Sequence, residues 1–563
     1  MPAMSRLMRC ACIAAAFVLI CGTAFGHNDQ WSGNHSSNFG DPANWSLGVP
    51  DGGEWMEFSP AWSTGPSGNL LDMNIAGSTL GIKVDASSGT GGNISINGPH
   101  SLTLGTDGID MNQSDNSAIS VASIGAPLVL GAVQTWLITN STLSVTGVIS
   151  GGSALTITGS GGVSSVSLGG NNTYSGGTTI NDISVTVVHD QGLGTGPVTA
   201  NNSTLTFNSN DPNLTNPTLN ASTATFTRSG GQPTLTNLTM TNGSVLDFTA
   251  SGSPSLVDMV SDAVGSGNSI SLGASTTLQI QVDSPATQYF GTINGPGSVN
   301  VTTGSTGELD LNGSNTYSNG TTVNANVLLV AGSDSALGTG AVALNLGAAL
   351  EVAPSVTIGN QLVVNNGSTV AGYGTIEPVT PEALFVQSGT AVVGGRGTLG
   401  SATAISVPGT LSFGPNVSLT FGPGGVMQFS IMNAAGVAGT DYSTINAPAS
   451  NLNITATAIS PFTIQLVSVN PSTGQVGLAN FNNAQAYSWT LLSASSITNF
   501  SASYFSVDST SFFQNALGGG AFSVSEFGSN LMLNFTPVPE PSTWALMASG
   551  ICAIGAAVRR RWR

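Results

Sequence analysis

The chain has 563 residues, of which 40% are hydrophobic and only 6% charged, with a formal net charge of −18. That much apolar surface excludes a disordered polar tract, which could not offset its chain entropy. Between Arg9 and Arg559 only Lys83, Arg228 and Arg396 stand against all 27 acidic residues, a formal charge of −24; such a surface repels phosphate backbones and argues against a nucleic-acid partner.

Residues 1–26 have the parts of a secretory signal peptide. Arg6 and Arg9 form the charged start, residues 8–21 are the apolar core, and Ala24-Phe25-Gly26 places a cleavage site before His27. The cysteines, Cys10, Cys12, Cys21 and Cys552, all lie in the two terminal apolar stretches. The body therefore has no disulfide framework, thiolate zinc site or cysteine nucleophile.

Residues 27–66 hold Trp31, Trp45, Trp55 and Trp62, half of the chain's eight tryptophans. The first coil of a repeat array exposes its core end to water, so these residues are expected to form a cap. The functional alternative is an aromatic platform on which a glycan stacks.

Residues 67–425 read as short strands between glycine and asparagine turns, for example 141–148, 153–158, 163–168, 204–207 and 299–301. Alternating side chains point inward and outward, and Asn and Gly suit the left-handed positions of tight turns. The expected class is all-β, a right-handed parallel β-helix (β-solenoid), with a β-sandwich array as second choice. At roughly 20–25 residues per coil it makes on the order of 15 coils and a rod of roughly 70–80 Å.

One stretch is used twice. LGGNNTYSGGTTIN at 168–181 returns as LNGSNTYSNGTTVN at 311–324, and Leu193-Gly194-Thr195-Gly196 returns as Leu337-Gly338-Thr339-Gly340. Internal self-similarity of this kind marks a repeat architecture.

Residues 426–536 are richer in aromatics and read as a C-terminal β-domain, with strands near 463–469 and 530–535. Residues 537–563 are a separate device. Val538-Pro539-Glu540-Pro541 is stiff and extended, an uncharged apolar run covers 544–558, and Arg559, Arg560, Arg561 and Arg563 follow. Basic residues beside an apolar segment stay cytoplasmic, so the tail is expected to form a short membrane-spanning helix.

In order, these three parts resemble the PEP-CTERM sorting signal of Gram-negative bacteria. The resemblance implies recognition by an exosortase-type processing enzyme, cleavage near Val538–Pro541 and delivery to the envelope or matrix, often in association with exopolysaccharide and biofilm. The NTYSGGTTIN and NTYSNGTTVN segments look like the autotransporter-associated β-strand repeat, which implies a β-helical stalk at a cell surface. About 110 residues separate the repeats from the tail. These are too few for an autotransporter's outer-membrane barrel, so the stalk carries over and self-transport does not.

Catalytic chemistry is thin. Gly395-Arg396-Gly397-Thr398-Leu399-Gly400 spells GxGxxG, but the strand-like stretch behind it is not the required helix. Asp107, Asp110, Asn112, Ser114 and Asp115 crowd one loop and lack the spacing of a calcium site. His27, His35, His100 and His189 form no HExxH pair, and His189-Asp190 sits in a turn. Asp310 stands alone. The expectation is an exported, non-catalytic surface or matrix protein without cofactor or metal, in contact with extracellular polysaccharide. The alternative is a secreted β-helix lyase or glycosidase.

Overall fold

The computed structural model describes residues 27–58, 70–84, 93–112, 121–259, 265–283, 287–396, 407–512, 514–538 and 541–561. The signal-peptide expectation lies outside the described residues.

The body is a β-solenoid of about 14 turns. At the strand spacing of about 4.8 Å that gives a stack of about 65 Å. Strand pairs through the stack are parallel, and each coil contributes one strand to each of two or three long sheets. The coil is set by register: Gln288, Asp310, Val330 and Glu351 are successive partners, about 21 residues apart.

Alternation explains why these residues make strands. In Thr204–Phe207, Leu205 and Phe207 are buried while Thr204 and Thr206 face out. The inward positions stack coil upon coil: Leu143, Val166, Val185, Leu205, Ala224 and Leu246 form one continuous row. Beside it Phe207 and Phe226 stack at 4.7 Å, and Phe226 and Phe248 at 4.9 Å. Such rows bury apolar area without any residue needing a partner far in sequence.

The corners are left-handed. Asn140, Asp182, Asn202 and Asn242 adopt φ of 47°, 55°, 48° and 55°, a conformation that asparagine and aspartate tolerate better than most residues. Inside these corners a chain of serines satisfies buried amides. Ser203 Oγ accepts from Ile183 N, Ser222 Oγ from Ser203 N, and Ser244 Oγ from Ser222 N.

The duplicated motif is a staple between coils. Asn172 is fully buried; its Oδ1 accepts from Ile149 N at 2.8 Å and its Nδ2 donates to Gly192 O at 2.6 Å. Asn315 does the same between Ile293 N and Ala336 O. Tyr174 shares a hydrogen bond with Thr178 at 2.6 Å, as Tyr317 does with Thr321 at 2.5 Å. Gly194 and Gly338 sit beneath the tyrosines at φ 76° and 67°, where a Cβ would strike the ring. The identical residues of the motif are thus the ones that tie one coil to the next.

The expected strands are found, Thr204–Phe207 with the expected ends and Thr142–Val145, Leu155–Ser160, Ser165–Leu168 and Ser298–Thr302 with shifted ones. Strand Val426–Ile431 pairs in parallel with Ala391–Arg396 and Phe462–Ser468, so the stack runs on past residue 425. It ends in antiparallel strands Ala521–Phe527 and Asn530–Thr536.

Residues Pro541–Arg561 form the C-terminal α-helix, which proline opens at a position needing no N–H donor. The expectation of a membrane-spanning helix is not met. No helix among the described residues is long and apolar enough to cross a membrane. The apolar run of 544–558 is about 22 Å of helix against a hydrocarbon core of about 30 Å. Ser549, Gly550 and Gly555 dilute it further.

Candidate functional site

Outward positions carry what inward packing leaves free. On the sheet that contains Thr142–Val145, Ser165–Leu168, Ser184–Val187, Thr204–Phe207 and Thr223–Phe226, the central outward residues fall in one row. Ser123, Ser144, Ser167, Thr186, Thr206 and Thr225 are successive register partners and all are half-buried. This is a ladder of hydroxyls at the strand spacing, with no charge over six coils.

A second outward face is charged. Strand Gly307–Leu311 presents Glu308 and Asp310, and Ala349–Val352, two coils on, presents Glu351 in the same row as Asp310. Arg396 reaches over the sheet: its Nη2 donates to Glu308, and its Nε lies 3.6 Å from Glu351 Oε2. Gln288 donates to Asp310 at 3.0 Å. The expectation that Asp310 stands alone is therefore corrected. The coil brings 308, 310, 351 and 396 together although sequence separates them.

Three carboxylates surround one guanidinium. The Glu351 side chain is only 7% exposed. Burial, aided by the charges of Glu308 and Asp310 and opposed by Arg396, pushes its carboxyl up to about 7. Burial raises Asp310 as well, against the hydrogen bond from Gln288. Tyr373, pushed up to about 12 by burial and then by the Glu351 charge, stays a phenol. Among the described residues, Asp310 Oδ1 and Glu351 Oε2 have no hydrogen-bond partner. Chemically, the cluster sets a carboxyl raised to about 7 beside a guanidinium, the kind of perturbed group general acid–base chemistry uses.

Other sequence-singled residues are dispersed. Trp31 and Trp45 are buried, edge to face at 5.0 Å, and Trp45 Nε1 donates to Phe39 O. Their rings offer no face to solvent. Trp55 is half-buried in strand Glu54–Phe58, and Trp62 lies outside the described residues. The expected acidic loop is corrected: Asp107, Asp110 and Asn112 belong to the strand Leu102–Asn112, while Ser114 and Asp115 lie outside the described residues. Asp110 is the register neighbour of Lys83, which pairs with Glu57 at 3.0 Å. Gly395 and Arg396 end the strand Ala391–Arg396, and 397–400 lie outside the described residues. Among the described residues no group of three or more His, Cys, Asp or Glu is arranged to hold a metal ion.

In the tail, Val538 is exposed, and Arg559 and Arg560 are exposed on the last turns of the helix that ends at Arg561. Pro539, Glu540 and Arg563 lie outside the described residues. The molecule is thus a β-solenoid protein with a separate C-terminal helix.

Residues 537–561 match the family model of the PEP-CTERM protein-sorting motif. That motif is a substrate signal for exosortase processing and implies export to the envelope or surface of a bacterium. No curated protein and no solved structure matches the chain.

Proposed function

We propose that this protein is a non-catalytic β-helical stalk of the bacterial surface or extracellular matrix, processed near Val538–Pro541 by an exosortase-type enzyme of a Gram-negative cell. The repeats are of the autotransporter-associated kind and supply length. The uncharged hydroxyl face is the adhesive surface, laid against extracellular polysaccharide in a biofilm. The observation that carries this is the sorting motif at 537–561, following a parallel stack with a row of six uncharged hydroxyl rungs.

The test is fractionation of an internally tagged chain from its native host, with the mass of the mature C-terminus. A chain that begins near His27 and ends within 538–541, found in the outer envelope or medium, supports the proposal. A chain that keeps Arg559 and Arg560 in every fraction overturns the processing.

The Glu308–Asp310–Glu351–Arg396 cluster favours a second reading, a secreted carbohydrate-active enzyme with Glu351 as general acid. Glycan turnover by the wild type that is lost in Glu351→Gln would establish it and displace the first.

A further inference from the structure

The strands that carry Thr186, Thr206 and Thr225 end at one corner of the solenoid, and the residues that follow them enclose a groove of about 230 Å³. His189 and Asp190 come from one coil, Asn208, Ser209 and Asn210 from the next, and Arg228 from the third. The groove therefore opens directly beside the hydroxyl ladder. It is smaller than the roughly 300–1,000 Å³ of sites for drug-sized ligands, a size for one sugar ring.

Its charge is unusual for this surface. Lys83 pairs with Glu57, and Arg396 with Glu308 and Glu351. Arg228 pairs with no carboxylate among the described residues. Its Nε donates to Asn208 O at 2.6 Å, which fixes the plane of the guanidinium, and the terminal nitrogens carry no partner there. An oriented guanidinium fork matches a carboxylate's two oxygens. On a body with a formal charge of −24, an unpaired arginine is the rare place where an anion is welcome.

The remaining groups suit hydroxyls. Asp190 uses Oδ1 to accept from Asp211 N, leaving Oδ2 as an acceptor. The side chains of Asn208 and Asn210 both donate and accept.

We propose that this groove binds the carboxylate-bearing sugar, a uronic acid unit, of an acidic glycan, with Arg228 on the carboxylate and Asp190 and Asn208 on the ring hydroxyls. The proposal rests on the polysaccharide-facing reading of the adjacent ladder and gives it a chemical class. The carboxylate contact is short-range, so it survives ionic strength that screens the longer repulsion from the acidic body.

The experiment is calorimetric titration of the full-length chain at about 0.15 M salt with trigalacturonate and with neutral maltotriose, for the wild type, Arg228→Gln and Arg228→Lys. Arg228 is exposed and its side chain makes one hydrogen bond among the described residues, so both variants fold, which circular dichroism verifies. Expected are binding of trigalacturonate by the wild type, loss of at least about tenfold in Arg228→Gln, worth 1.4 kcal/mol, and partial recovery in Arg228→Lys. Equal affinity for trigalacturonate in wild type and Arg228→Gln overturns the site. Binding of maltotriose alone overturns the acidic-sugar assignment but leaves the ladder's polysaccharide contact standing. Binding of neither, together with no retention on bacterial exopolysaccharide, overturns both.

Discussion

Two outward faces of this solenoid rest on the same coil and differ in almost everything else. The hydroxyl ladder of Ser123 to Thr225 is a row of short neutral side chains. The face around Arg396 holds three carboxylates, one of them 7% exposed. Beneath both, the inward rows are alike, and the Asn172 and Asn315 staples repeat nearly atom for atom. The difference teaches that inward positions are bound to the fold, whereas outward rows are free to change without cost to it. Functional differences are therefore sought in outward residues, and losses of stability in inward ones.

The hardest blow to that comparison falls on the staples. Asn172→Leu and Asn315→Leu each orphan a buried N–H and a buried C=O, and each is expected to cost about 3 kcal/mol. Denaturation midpoints should fall by similar amounts in the two variants. Unequal losses would break the equivalence of the two halves.

Glu351 sharpens the contrast. Burial raises its carboxyl from the ordinary 4.5 to about 7, so the folded state binds this proton more tightly than the unfolded one. Its contribution is most favourable below pH 4.5 and declines as the pH rises to about 7, by about 3 kcal/mol in all. Glu351→Gln should therefore be more stable than wild type at pH 8 and no different at pH 4.5, as read from urea midpoints. A wild-type excess at pH 8 would show that Glu351 is held as a carboxylate.

Tyr174→Phe and Tyr317→Phe remove only the hydroxyl bond to Thr178 or Thr321, and each should cost about 1 kcal/mol. Burial holds both phenols protonated far above neutrality, so this loss should not vary between pH 5 and 9. The smallest stability effect belongs to the ladder. Thr206→Glu faces solvent and should shift stability by no more than about 0.5 kcal/mol. Yet it should abolish retention on bacterial exopolysaccharide, and unchanged retention would deny the ladder any adhesive role.

Much of this was legible in sequence because a solenoid is local. Alternation located Thr204–Phe207 to the residue, and Asn and Gly marked the left-handed corners. The twofold NTYS motif announced a repeat, though its meaning as a pair of inter-coil hydrogen bonds needed the coils in place. The charged cluster was missed because Asp310 and Glu351 meet only through register, two coils apart. A period of about 21 residues, applied to the acidic positions, would have aligned them. The serine chain at the corners was missed for another reason: Ser203, Ser222 and Ser244 look like polar turn residues, and only burial shows that they serve buried amides. The tail was legible as a sorting motif, but the expected spanning helix is not found among the described helices, because the apolar run of 544–558 is short.

The coil register has a consequence for how such a chain can grow. Every rung meets its neighbours through the same parallel backbone register, so a coil of about 21 residues can be copied or deleted in frame and the cut ends will still match. Each such event lengthens or shortens the rod by one strand spacing, about 4.8 Å. The reach of this molecule is thus a digital quantity, adjustable one tooth at a time like a ratchet rather than by redesign.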